Sequence, residues 1–236
     1  MRSSIGMRHW KRWLAIGVVG VALALVSGPY IYIHFIEGKA PAPLALSSPT
    51  TAADIGQTTA PSSGTDGTWK VTDDSIVGYR VKEVLFGQSH DAVGRTSDIT
   101  GSMTVDGTTI TTADFTVDMT TVASDQSRRD GQFNGRIMDT STFPTSAFKL
   151  TKPIDFGSTP AEGATKTFQA TGDLTLHGVT KTVTFKLTGR YTGSTVQVAG
   201  SIPITFADWG IPNPSFGPVT TEDHGALEFS LDFTQA

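Results

Sequence analysis

The 236-residue chain has no cysteine and five histidines, so any chemistry it performs must use oxygen or imidazole groups. His9 and His34 belong to the amino-terminal region around the apolar stretch 13–36, which leaves His90, His177 and His224. No H-E-x-x-H, His–Cys spacing or calcium-loop pattern gathers these three, so a metal site has no local warrant. His90-Asp91 has the types for a general acid and base, but neighbours in an extended strand point apart, and Asp at that place suits a turn equally well. Ser89, Ser124 and 36 threonines supply hydroxyls, yet a nucleophilic serine needs a positioned base, and no G-x-S-x-G elbow is present.

Two other stretches carry polar or aromatic groups at high density. In Ser124 to Met138, SDQSRRDGQFNGRIM, the forked donors Arg128, Arg129 and Arg136 suit a phosphate or carboxylate. Salt bridges to Asp125, Asp130 and Asp139 would use them as well. Residues 204 to 218 combine Phe206, Trp209 and Phe216 with three prolines and two glycines. This stiff loop either closes the mouth of a cavity with rigid aromatic groups or simply packs over a sheet.

The elements that must position these groups are strands. Val77, Tyr79 and Val81 form one apolar row, Ile99, Met103 and Val105 another, and Phe115, Val117 and Met119 a third, with polar residues between. Phe148 with Leu150, Phe168 with Ala170 and Gly172, Val183 with Phe185 and Leu187, Val196 through Phe206, and Leu227 through Phe233 complete eight. Turns at Asp106-Gly107, His177-Gly178 and Thr192-Gly193 are too short for parallel crossovers, so the pairing is antiparallel. The alternation lapses around Leu85 to Ala92 and over Asp125 to Ile137. In the second stretch, Ser124 or Asp125 is placed to cap a short helix carrying Phe133 and Ile137 on one side. Eight antiparallel strands avoid costly edges by closing into a barrel or pairing as a sandwich.

Before this domain, Trp13 to Ile36 runs 24 residues without Asp, Glu, Lys or Arg. As a helix it would reach about 36 Å, enough to cross a bilayer. Arg2, Arg8, Lys11 and Arg12 precede it, so the expected topology has residues 1–12 cytoplasmic, 13–36 transmembrane and the rest outside. A cleaved secretion signal is the alternative. Residues 37–68, rich in Pro, Ala, Ser and Thr, read as a tether. Residues 69–236 hold 13 Lys and Arg against 19 Asp and Glu, a formal −6. That charge argues against a nucleic-acid partner.

The segment Gly172 to Val183, GDLTLHGVTKTV, resembles the GDLTLHGVTKxV segment of the YceI-like family. Arg129-Asp130 is similar to that family's R-D element. Met138-Asp139 through Phe143-Pro144 with Ala147-Phe148 resembles its D-x-x-x-F/Y-P-x-A-x-F segment, and residues 204 to 211 resemble its stretch ending in D-F/W-G. The resemblance covers about residues 69 to 235. It departs at Gly131-Gln132-Phe133, where the family usually has His-Leu, and at Thr205-Phe206, where it often has Asn-Arg.

The resemblance implies an all-β fold: an extended, lipocalin-like, eight-stranded antiparallel barrel with one or two short helices, here preceded by a single transmembrane helix. It further implies non-catalytic carriage or sequestration of an isoprenoid, a quinone-like lipid or another long apolar molecule, with no other cofactor. The inward residues expected to touch such a ligand are Phe115, Val117, Met119, Phe133, Phe148, Phe185 and Phe229. Phe206, Trp209 and Phe216 would stand at the mouth, and Arg128 or Arg129 would hold the polar head. Expected partners are the apolar ligand and the cytoplasmic membrane through residues 13–36, with monomer or homodimer left open. The rival functions are an envelope protein-interaction module and a hydrolytic or metal-dependent enzyme.

Overall fold

Apolar and polar rows become the inner and outer faces of one antiparallel sheet. The computed structural model describes residues 17, 18, 21, 40–47 and 64–236, except 86, 159 and 218. Its strands are β1 (Gly67–Val71), β2 (Ile76–Leu85), β3 (Gln88–Thr96), β4 (Ile99–Asp106), β5 (Thr109–Asp118), β6 (Ala123–Ser124) and β7 (Thr145–Lys152). The remainder are β8 (Ile154–Asp155), β9 (Thr165–Leu176), β10 (Val179–Tyr191), β11 (Thr195–Thr205), β12 (Val219–Thr221) and β13 (His224–Gln235). The order β1-β4-β5-β7-β9-β10-β11-β13 returns to β1 through the β1–β13 pairing, which closes an eight-stranded antiparallel barrel. Closure removes the unpaired edges that an open sheet would expose.

Three of the eight staves are bent, and each bend divides one long strand into two. β1 and β2 both pair with β13, β4 and β3 pair with β1 and β2, and β5 and β6 pair with β4 and β3. Side-chain hydroxyls repair the ladder at these bends. Ser75 Oγ donates to the Asp232 carbonyl at 3.2 Å and accepts from its N–H at 2.9 Å. The Thr96 hydroxyl accepts from the Asp98 N–H at 2.9 Å and lies 2.6 Å from that of Thr121. A bend left unrepaired would strand buried backbone groups, which is costly.

One end of the barrel is plugged by Trp69 and Phe233, both almost fully buried. The Trp69 indole N–H donates to the Thr65 carbonyl at 2.8 Å, and its ring meets Tyr191 edge-on at 6.2 Å. At the other end the pairing stops at β6, and the helix α1 (Ser127–Gln132), continued by a π-turn over Phe133–Ile137, covers the opening. Gln126 caps α1 without a side-chain bond, so neither Ser124 nor Asp125 plays the expected capping part. Ser124 instead ties the loop to the helix, donating to Asp130 through its N–H at 2.8 Å and its hydroxyl at 2.6 Å.

The expected lapse at Leu85 to Ala92 is a hairpin tip between β2 and β3, where Gln88 and Ser89 are exposed. Alternation fails there because both faces are wet. The His177-Gly178 turn has positive φ at both residues, 49° and 74°, the backbone that matches a two-residue hairpin to strand twist.

The membrane component of the expected architecture is corrected. Among the described residues no helix is long and apolar enough to cross a membrane. A crossing needs about 20 apolar residues in one helix, whereas α1 is six residues of largely polar type. The transmembrane helix preceding the barrel, the membrane as partner through residues 13–36, the single-pass localisation and the membrane-anchored form of the family are therefore set aside. Of residues 13–36, only 17, 18 and 21 are described, and these are helical; the rest of that stretch and residues 1–12 lie outside the described residues.

Candidate ligand-binding site

The inner rows do not meet across the barrel. They enclose a cavity of about 680 Å³ that extends from Ile110 and Ile154 near the plugged end to Phe216 and Val219 near α1. Phe148, Phe185 and Phe229 make a chain of edge-on contacts at 5.5 and 5.8 Å, and Phe115 leans on Phe233 at 5.8 Å.

Glycine on the neighbouring strand seats several of these rings against the wall. Gly101 pairs with Phe115, Gly200 with Phe229 and Gly94 with Tyr79. A Cβ on Gly200 would stand 2.6 Å from the Phe229 ring, and one on Gly172 would stand 2.4 Å from both the Phe148 ring and the Lys149 carbonyl oxygen. Gly101 and Gly172 thus let rings lie close to the sheet. Gly172→Ala must move backbone as well as a ring, and overpacking of this kind costs about 1–3 kcal/mol. A lowered urea midpoint with unchanged slope is the expected result, and an unchanged midpoint would show that the ring moves freely.

Polar groups collect at the α1 end. Tyr79 stacks on Phe133 at 5.1 Å with planes 12° apart, and burial pushes its phenol above the ordinary pKa. Arg129 donates to Glu83 at 3.3 Å and to Asp125. Burial works against its charge, but Glu83 and then Asp125 outweigh that and leave its pKa raised. Arg128 is different. It is exposed at the rim of the cavity with its guanidinium 6.0 Å from the centre of the Phe216 ring, and no described carboxylate pairs with it. Arg136 approaches Phe216 at 5.8 Å and donates to the carbonyls of Asn213 and Pro214 at 3.1 and 2.8 Å, which clips the loop to the helix.

Eleven of the twelve expected residues line the cavity: Phe115, Val117, Met119, Arg128, Arg129, Phe133, Phe148, Phe185, Phe206, Phe216 and Phe229. Trp209 does not. Its buried ring lies under Lys181 at 5.5 Å, its carbonyl accepts from His177 Nδ1 at 3.2 Å, and its indole N–H has no partner. The 3-10 turn Phe206–Trp209 ends at Gly210 with φ of 65°, turning the chain as Trp209 is passed. Residues that the sequence rows did not single out as ligand contacts, among them Ala170, Leu174 and Ile204, also line the cavity. Their inward parity was the available signal.

The three histidines sit on separate elements: His90 on β3, His177 in the β9–β10 turn and His224 at the start of β13. Among the described residues no group of three or more His, Asp or Glu is placed to hold a metal. Exposed His224 donates to Asp223 at 2.8 Å and approaches Glu222 at 3.3 Å, and the bond to Asp223 leads in raising its pKa. A raised folded-state value favours the protonated form, so any stabilisation is full below the unfolded value of 6.5 and fades as pH rises through the folded one. Proton NMR should place the His224 midpoint above 6.5, and Asp223→Asn should bring it down. A wild-type midpoint at or below that value would contradict the pairing.

A family model described as the YceI-like domain matches residues 69–233. The chain belongs to the YceI-like family. It is 29% identical over 128 residues to the UPF0312 protein VPA0850 of Vibrio parahaemolyticus, covering 50% of this chain and 64% of that protein's length. A polyisoprenoid binding domain from Saccharophagus degradans superposes with a TM-score of 0.58 at 16% identity, over 71% of this chain and 98% of that one. Burkholderia cenocepacia BcnA superposes with a TM-score of 0.50 at 22% identity, over 65% and 95% of the two chains. At these identities the likenesses establish the fold.

Proposed function

We propose that this YceI-like barrel carries or sequesters a polyisoprenoid or similarly long apolar chain, with the tail in the lumen and a polar head beside Arg128. One observation carries the reading: the lumen is an aromatic-lined void of about 680 Å³ whose polar groups cluster at one end. That volume falls within the roughly 300–1,000 Å³ of typical small-molecule sites. Burying ten methylene-sized carbons contributes about 8 kcal/mol, which corresponds to roughly micromolar binding. The Saccharophagus domain described as polyisoprenoid binding shares this fold.

Arg128 is a better head-group contact than Arg129, because Arg129 already faces two carboxylates and would have to give up one of them. Arg128 answers no described carboxylate and borders the cavity. Native mass spectrometry of the full chain offered geranylgeraniol or geranylgeranyl phosphate tests the proposal. The expected result is one molecule per barrel, with the phosphate bound about tenfold more tightly, as a charge-assisted contact would give. A lumen that stays empty of both probes would end the proposal.

A further inference from the structure

Residues 40–47, Ala-Pro-Ala-Pro-Leu-Ala-Leu-Ser, were expected in a free tether, yet they lie against the outer wall of the barrel. The wall beneath them is unusual for an outer face. Glu228 and Arg190 point outward by strand alternation but are only 6% and 8% exposed. Arg80 donates to Glu228 at 2.6 and 3.3 Å and to Asp91 at 3.0 Å, while Arg95 lies 3.7 Å from Glu228. Arg190 donates to Gln197 at 3.1 Å, and Gln197 donates to Asp232 at 2.6 Å.

The spare donors of this row meet the segment's backbone. Arg80 donates to the Pro41 carbonyl at 2.7 Å, Arg95 to that of Ala42 at 2.5 Å, Ser230 to that of Ala45 at 3.2 Å, and Arg190 to that of Ser47. In return, the Leu44 N–H donates to Glu228 at 3.4 Å. Leu44 and Leu46 are half-buried between exposed neighbours. Six residues of extended chain reach about 20 Å, and the four strand spacings from β3 to β10 amount to about 19 Å. The segment is therefore long enough to cross β3, β2, β13, β11 and β10 as a transverse strap.

We propose that this outer row is a peptide-docking site that reads an extended, proline-bearing chain through its carbonyls, and that residues 40–47 of the same chain are its occupant. Pro41 and Pro43 restrict the segment to extended backbone before docking, which lowers the entropy lost. Arginine forks suit the task because one guanidinium can hold a carboxylate and still donate to a carbonyl. The bound chain shields Glu228 and Arg190 in turn. This proposal is independent of what the lumen holds.

Because the chain has no cysteine, the pair Ala45→Cys with Ser230→Cys tests it cleanly in the full-length protein. A short bifunctional thiol cross-linker should join the two positions within one chain, giving a monomer whose linked peptides are found by mass spectrometry. A cross-linked dimer would mean that a second copy supplies the strap, and an absence of cross-linking would mean that the row is empty; either overturns the proposal. Leu44→Asp with Leu46→Asp leaves the barrel untouched and should speed proteolysis within 40–47 about tenfold, since cleavage follows the open population. Equal cleavage of wild type and variant would also overturn it.

Discussion

Replacing Ala170 by Phe is expected to abolish stoichiometric lipid uptake while the barrel stays folded. Ala170 lies on β9 opposite Phe185, is 1% exposed and lines the lumen. A benzyl group there would occupy the middle of the cavity. Displacing about four methylenes' worth of ligand forfeits roughly 3 kcal/mol, or about a hundredfold in affinity. Overpacking in a solid core costs about 1–3 kcal/mol, but here the added ring enters a void and gains burial that offsets part of the strain. Native mass spectrometry and a thermal melt distinguish the outcomes. One lipid per barrel in the variant would place the ligand elsewhere, whereas an unfolded variant would show that the lumen is smaller than described.

The second large effect separates two adjacent arginines. Arg129→Ala should lower stability by about 1–3 kcal/mol, the cost of leaving a largely desolvated polar group without its partner. The Glu83 side chain that it would abandon is 12% exposed, and Arg129 itself is 15% exposed. Arg128→Ala should leave stability within about 0.5 kcal/mol, as surface substitutions do, and should instead erase the preference for a phosphate over an alcohol head. Urea unfolding of each variant, beside binding of the two prenyl probes, gives four numbers. Equal stability losses would refute the assignment, as would a phosphate preference that survives Arg128→Ala.

These two arginines also mark how far the chain could be read before folding. Both are forked donors in one polar stretch, and their types alone make them equivalent. Only the position of Glu83 on β2, 46 residues away in sequence, commits Arg129 to a structural pair and leaves its neighbour at the rim. The rows Val77–Tyr79–Val81 and Leu227–Phe229–Leu231–Phe233 were legible because a strand wall has a period of two, and each of these residues belongs to the apolar core or packs against it. The part played by Gly101 and Gly172 was hidden, because a glycine carries no sign of the ring that will cover it from the next strand. Trp209 was assigned to the mouth on chemistry, but the turn at Gly210 and the contact with His177 hold it outside the lumen wall.

Local pattern in the amino-acid sequence determined the eight staves, their antiparallel turns, the inward faces and the YceI-like kinship, since parity and turn chemistry are properties of neighbouring residues. The tertiary structure alone decided that the inner faces stand apart, that three staves bend on hydroxyl repairs, which arginine is committed, and that residues 40–47 cross the outer wall. Each of these depends on pairs far apart in the chain, such as Arg80 with Glu228 or Gly200 with Phe229, and closure of the ring is what brings them together.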